Sequence, residues 1–174
     1  MDRVIVINSP EISGIALVSI GLNDIENLRI WKNNQRQVFF FQEEIQPEDQ
    51  IRWFAAYQNR PSDYMFMVHW QTRAVGCLGF RILTEEVDIY NVILADQTLR
   101  NQGIMSGALQ LLVAYGSTLS RLPVSVRVLR SNPAVAWYRR NHFLDIAATD
   151  TYYKLQLDRV AFPAVRIGTN GRYT

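Results

Sequence analysis

The sequence predicts a single mixed α/β (α+β) domain, and three observations predict it. Residues 64–70, 75–83 and 87–95 read as strands around short turns at 71–74 and 84–86, which is an antiparallel meander. Leu109, Leu112, Val113 and Gly116 then recur at three- and four-residue steps, the period of a helix. Val124, Val126 and Val128 alternate with Ser125 and Arg127, the pattern of a strand with one buried face.

In chain order, residues 15–20 give the first strand, and Gly21-Leu-Asn23 turns and caps a helix over 24–33 with Leu28 and Trp31 three apart. Phe39, Phe40 and Phe41 cluster before Gln42-Glu-Glu-Ile45, a stretch with no periodic signal. Pro47 suits the first turn of a second helix, with Ile51, Phe54 and Ala55 on one face and Arg52 on another; Asn59-Arg-Pro61 stops it. The meander follows, then a helix from about 102 to 119 and a strand from Pro123 to Leu129. Ser131 or Asn132 caps a short helix with Pro133 in its first turn, and residues 143–147 with 152–157 make a closing pair of strands. The tail after Asp158 carries Pro163, Gly168 and Gly171 without periodicity and reads as a C-terminal arm or partner contact on a domain spanning 1–174.

Composition excludes several classes. The chain has 174 residues, 48% of them hydrophobic, enough for a full core. Net charge is +2, lysine occurs only at 32 and 154, and Arg139-Arg140 is the only adjacent basic pair, so nucleic acid is not the expected partner. One cysteine, Cys77, and two distant histidines, His69 and His142, exclude a disulfide framework and a zinc site; no metal is expected. Cys77 sits in a strand-like run as a buried thiol. No apolar run approaches the ~20 residues of a membrane span. The start Met1-Asp-Arg3 and the run 4–7 do not make a signal peptide, so a cytoplasmic protein is expected.

The informative stretch is Leu99-Arg-Asn-Gln-Gly103-Ile-Met-Ser-Gly-Ala-Leu109, lying between the apolar run 89–95 and the helix. The first amides of a helix lack internal partners and the dipole adds positive charge there, so an anion can sit on that end. Gly103 lets backbone approach a bulky ligand, and Arg100 can add a cation. On Gly103 alone, a turn that needs a small residue for packing is the favoured reading. Arg100-Asn-Gln-Gly103-Ile-Met105 resembles the acyl-CoA pyrophosphate loop of the GNAT acetyltransferases: Gln or Arg, two residues, Gly, one residue, then Gly or Ala. Met105 departs from the last position. It is familiar, as Gly-Ile-Met-Ser, in the branch holding ribosomal-protein N-terminal and nucleotide-amino-sugar acetyltransferases. Asn132, Val135-Ala136, Tyr138 and Asn141-His142-Phe143 resemble the family's second motif, with His142 in place of Gly, so the turn is expected to be held differently.

The resemblance covers residues 15–157 and implies the GNAT fold, a central, mostly antiparallel mixed sheet flanked by helices on both faces. It implies acetyl-CoA as co-substrate and direct attack by a primary amine in a ternary complex. The backbone near Ile93 and Ala95 would pair with the pantetheine arm. Arg100, Asn101, Gln102, Gly103, Ile104, Met105 and Ser106, with Asn132, would form the rest of the CoA site. Tyr138 would protonate the leaving thiolate, against the alternative of a core tyrosine. Asp88, with Glu86 beside it, is the carboxylate expected to take the amine's proton, against the alternative of a strand-end carboxylate. Trp31, Phe39 to Phe41, Trp53 and Tyr90 are expected acceptor contacts, against the alternative that the aromatics at helical spacing are core. The acceptor is expected to be a small-molecule amine, an amino-sugar nucleotide by preference, with Arg29, Arg36 or Arg52 for its diphosphate. A protein N-terminus and a non-catalytic CoA-binding domain are the alternatives. A homodimer is compatible with this reading.

Overall fold

The computed structural model describes residues 4–169; the opening Met1-Asp-Arg3 and the end of the tail, Gly171 included, lie outside the described residues. The elements are β1 (Val6–Ser9), β2 (Ile12–Ser19), α1 (Ile25–Asn34), α2 (Pro47–Tyr57), β3 (Asp63–Trp70), β4 (Arg73–Ile82), β5 (Val87–Leu94), α3 (Ile104–Leu119), β6 (Val124–Leu129), α4 (Ala134–Arg140), β7 (Phe143–Ala148), β8 (Tyr152–Leu157) and β9 (Gly168–Thr169). They build one nine-stranded sheet in the order β7-β8-β6-β5-β4-β3-β2-β1-β9. Every pairing is antiparallel except β5 with β6.

Helices cover both faces. On one, α3 and α4 pack on Leu17, Phe66, Leu78, Phe80, Ile89, Val126 and Leu155. Here α3 is buried nearly all round, Leu109, Leu111 and Leu112 being at most 1% exposed, which explains its apolar composition. Each such leucine contributes about 1.5–3 kcal/mol by leaving water. Gly107 sets the distance, since a Cβ there would stand 2.7 Å from Ile15 Cδ1. On the opposite face α1 and α2 cover a smaller core of Leu28, Met65, Met67, Cys77 and Ile93.

Two readings of single faces need correction. On α2 the buried residues are Gln50 and Phe54, whereas Ile51 is 57% exposed and Ala55 is exposed. In β6 both faces are covered, because Ser125 is buried too, its hydroxyl donating to Glu86 Oε2 at 2.6 Å. The end of the run 4–7 enters β1, which pairs with β2 and, at Ile7 and Asn8, with β9. Residues 158–167 therefore connect β8, next to one sheet edge, with β9 at the other. Phe162 is buried on the way, and Arg166 ends at Glu11.

Candidate active site

The site begins where the sheet opens. The parallel strands β5 and β6 pair only at Val87, Asp88 and Ile89 with Val124, Ser125 and Val126. Beyond that, β6 stays with β8 through Arg127, Val128 and Leu129, and β5 stays with β4, leaving a wedge-shaped gap. The cause lies in β5, whose register with β4 slips between Tyr90 and Ile93. Asn91 there has φ +51°, a left-handed conformation that asparagine tolerates, and the bulge turns the strand away. Ala95 N–H donates to Val75 O at 2.8 Å, so Ala95 and, by alternation, Ile93 direct their backbone at β4. Leu94 faces the gap, its carbonyl accepting from the side-chain amides of Gln35 and Gln97. The backbone available there is thus that of Leu94 rather than of Ile93 and Ala95.

Next to the gap lies the start of α3. Gly103 and Asn101 both have positive φ, +76° and +62°. Gly107 N–H donates to Gly103 O at 2.9 Å, so the amides of Gly103, Ile104, Met105 and Ser106 precede the helical ladder and are open to an anion. A Cβ at Gly103 would meet nothing within 4 Å: the loop faces open space, and φ alone demands glycine. Ile104 and Met105 turn their side chains into the core, which explains how a methionine fits where the motif has a small residue. Arg100 is exposed and makes no ion pair among the described residues, while Gln102 bonds back to Thr98 O at 3.4 Å.

Alongside α3, α4 is held by Trp137 Nε1 donating to Ser106 Oγ at 3.2 Å. Asn132 Oδ1 accepts from Ala134 N–H at 2.8 Å, and its amide donates to Val38 O at 3.1 Å. Asn132 thus caps α4 and ties it to the turn after α1. Tyr138 is 4% exposed, its ring edge-on to Trp137 and Phe143 at 4.8 and 5.4 Å. Its hydroxyl makes no hydrogen bond among the described residues. Burial first, then the charge of Asp88, pushes its ionisation up, so it is a proton donor and never a phenolate at neutral pH. His142 has φ +64°, the left-handed conformation glycine ordinarily supplies after a helix. The turn is therefore not held differently; histidine accepts the strain.

Asp88 and Glu86 stand in a polar ladder across the face shared with α1 and α2. Arg81 Nη2 is 2.6 Å from Asp88 Oδ2, and Arg127 reaches Asp88 Oδ1 at 3.5 Å and Glu86 Oε1 at 2.7 Å. Lys154 Nζ lies 2.6 Å from Glu86 Oε2. Burial pushes the Glu86 carboxyl up, but hydrogen bonds from Lys154, Ser125 and Arg127 outweigh it and bring it down to about 2. Both oxygens of Asp88 face guanidinium groups. Tyr90 donates to Asp63 Oδ1 and carries Arg81 over its ring at 4.4 Å.

On the α1–α2 side the bulge lines a cavity of about 330 Å³, open to solvent on one side, walled by Leu28, Trp53, Met65 and Ile93 and bordered by Phe41 and Ile45. Its polar residues are Lys32, Asp49, Gln50 and Asn91, with Cys77 at its base. Of the aromatic residues expected at the acceptor, Phe41 and Trp53 line this cavity. Trp31 packs half-buried on the smaller core, its alternative reading, and Phe40 is 55% exposed, edge-on to Tyr152. Of the cations expected for a diphosphate, Arg29 is tied to Glu26 at 2.6 Å and Arg52 to Asp49; Arg36 makes no ion pair among the described residues. Sequence reasoning missed Lys32, although its four-residue spacing from buried Leu28 puts it on the inward face of α1. Asn91, a positive-φ residue type inside a strand run, was the available signal for the bulge. Among the described residues no group of three or more His, Cys, Asp or Glu is placed to hold a metal, and no helix is long and apolar enough to cross a membrane.

Comparison with known proteins agrees with this fold. No curated protein sequence matches the chain. Among solved structures it is similar to FdhC, a nucleotide-linked sugar GNAT, with TM-score 0.71 and 16% identity over 83% of this chain and 86% of that one. RimL, a ribosomal L7/L12 α-N-protein acetyltransferase, gives 0.70 and 19% over 89% and 93%, and has also been solved with coenzyme A. The spermidine/spermine N-acetyltransferase SpeG from Vibrio cholerae gives 0.66 and 16% over 83% and 94%. At these identities the likeness is one of fold. The family model for the acetyltransferase (GNAT) domain matches residues 15–143, from β2 to the first residue of β7. The chain belongs to the GNAT acetyltransferases and is an N-acetyltransferase.

Proposed function

We propose that the protein transfers acetyl from acetyl-CoA to the primary amine of a small molecule, an amino-sugar nucleotide by preference, by direct attack in a ternary complex. The observation that carries this is the wedge between β5 and β6, which has the open α3 amides beside it and the α1–α2 cavity at its bulge. The CoA pyrophosphate sits on the amides of Gly103 to Ser106, next to Arg100, and the pantetheine arm runs along the unpaired edge of β5 at Leu94. CoA supplies the activated acyl group; the protein supplies position and electrostatics. As the thioester collapses, Tyr138 gives its proton to the leaving sulfur.

The amine attacks as the free base. Asp88, fixed between Arg81 and Arg127, serves as a positioning residue for the floor of the site, and the proton leaves to water through the cavity mouth. A cavity of about 330 Å³ is at the small end of ligand sites, which favours a compact amine over a peptide. The sugar ring occupies it, and Arg36, in the segment that borders the cavity, meets the diphosphate. The test is release of free CoA thiol from acetyl-CoA with amino-sugar nucleotides and with N-terminal peptides as acceptors, and Tyr138→Phe as control. Turnover of the sugar nucleotides that Tyr138→Phe abolishes supports the reading; turnover of peptides alone replaces the acceptor.

A further inference from the structure

Lys32 is the one cation of the cavity without a carboxylate among the described residues. Its ammonium donates to Asn91 Oδ1 and lies 4.5 Å over the Phe39 ring, both neutral partners. Around it stand the apolar walls Leu28, Trp53, Met65 and Ile93. The cavity's carboxylate, Asp49, is bonded to Arg52 and to the Gln46 amide. Cys77 does not offset the charge, because burial pushes its thiol up to about 12 and keeps it neutral. Arg81 adds like charge from the floor. Buried charges in proteins are ordinarily paired, and an anion in this cavity would supply the pair that Lys32 lacks.

We infer that Lys32 determines acceptor specificity: the cavity takes an amine that also bears a carboxylate or phosphate, and the anion pairs with the Lys32 ammonium. This rests on the acetyltransferase reading above. Burial brings the Lys32 ammonium down to about 8 in the free protein, in keeping with a charge that lacks its counter-ion. A polyamine would instead add positive charge beside the Lys32 ammonium, so the site discriminates against spermidine-like acceptors.

The test uses matched acceptors with acetyl-CoA: glucosamine against glucosamine 6-phosphate, alaninamide against alanine, and spermidine. The anionic member is expected to exceed its neutral counterpart by roughly tenfold or more in kcat/KM, a preference that Lys32→Met removes and Lys32→Arg keeps in part. Which pair shows the preference tells phosphate from carboxylate. Equal use of neutral and anionic members, efficient use of spermidine, or an unchanged preference in Lys32→Met overturns the inference. A second readout needs no turnover. With two lysines in the chain, the Lys32 signal of isotopically labelled protein is assigned by the Lys32→Met spectrum. Its titration is expected to move above about 8 when an anionic probe binds, since a nearby anion favours the charged form. If no probe moves it, the inference falls. Acetyl-CoA titration run alongside separates the two failures: loss of that binding sinks the acetyltransferase reading, and intact binding without anion preference sinks only the role of Lys32.

Discussion

Replacing Lys32 with methionine fills the same space and removes a buried charge. Burial lowers this ammonium from its ordinary 10.5 to about 8, which corresponds to about 3 kcal/mol of folded-state penalty on the charged form. Against that gain stand the lost hydrogen bond to Asn91, about 1 kcal/mol, and the lost contact with the Phe39 ring, of about 1 kcal/mol. The ligand-free variant is therefore expected to be more stable than the wild type at pH 7, by about 1 kcal/mol. That corresponds to a rise in Tm of about 2–4 °C for a chain of this size. The pH dependence gives a sharper signature. Below about 8 the group is charged in both states and the penalty is present in full. Between about 8 and 10.5 the unfolded chain keeps a proton that the folded chain has lost, so wild-type stability rises with pH by this contribution. Urea unfolding followed by tryptophan fluorescence, wild type minus variant from pH 7 to 10.5, isolates the effect. A variant less stable by more than about 1 kcal/mol, with a pH profile parallel to wild type, refutes the reasoning.

Three further outcomes are expected. Tyr138→Phe leaves the fold intact, because the hydroxyl has no partner to lose, and lowers kcat by about 10²-fold or more with KM for acetyl-CoA unchanged; steady-state kinetics and circular dichroism check it. Asp88→Asn destabilises by about 1 kcal/mol by weakening ion pairs whose arginines are half-exposed, yet keeps the shape of the pH–rate profile; loss of its acidic limb would make Asp88 the base after all. Glu86 has a folded-state pKa depressed from 4.5 to about 2, so its contribution is present above 4.5 and is lost as pH falls through about 2. Glu86→Gln should flatten the fall of the urea midpoint between pH 5 and pH 2, and an unchanged slope would contradict the ladder.

How much was legible in the sequence follows from the range of the interactions. The meander, the α3 stripe and the Asn132 cap are local patterns, written within one turn or one hairpin, and they appear as read. The β1–β9 pair joins residues some 160 apart, and nothing near Gly168 or Thr169 announces a strand, so it was invisible. On α2 the apolar residues Ile51 and Ala55 suggested a buried face. The side chains that reach α1 and the sheet are instead Gln50, Trp53, Phe54 and Tyr57, because tertiary packing chose the helix rotation. For the candidate site, the positive-φ glycine before α3 and the α4 tyrosine were readable as motifs. The commitment of Asp88 to two arginines from other strands was not, since ion pairing depends on register between β4, β5 and β6. Ile93 and Ala95 show the same limit: a one-residue alternation decides whether an amide faces β4 or the gap, and the bulge at Asn91 sets that phase.

The central claim is that the start of α3 holds the pyrophosphate of acetyl-CoA. Isothermal titration of the protein with acetyl-CoA tests it most directly, repeated with Gly103→Glu, which places an anion in open space at a position whose φ of +76° already disfavours any side chain. Micromolar binding by the wild type, abolished in the variant while its circular dichroism spectrum is retained, is the predicted result. Absence of binding by the wild type, or equal binding by both proteins, would contradict it.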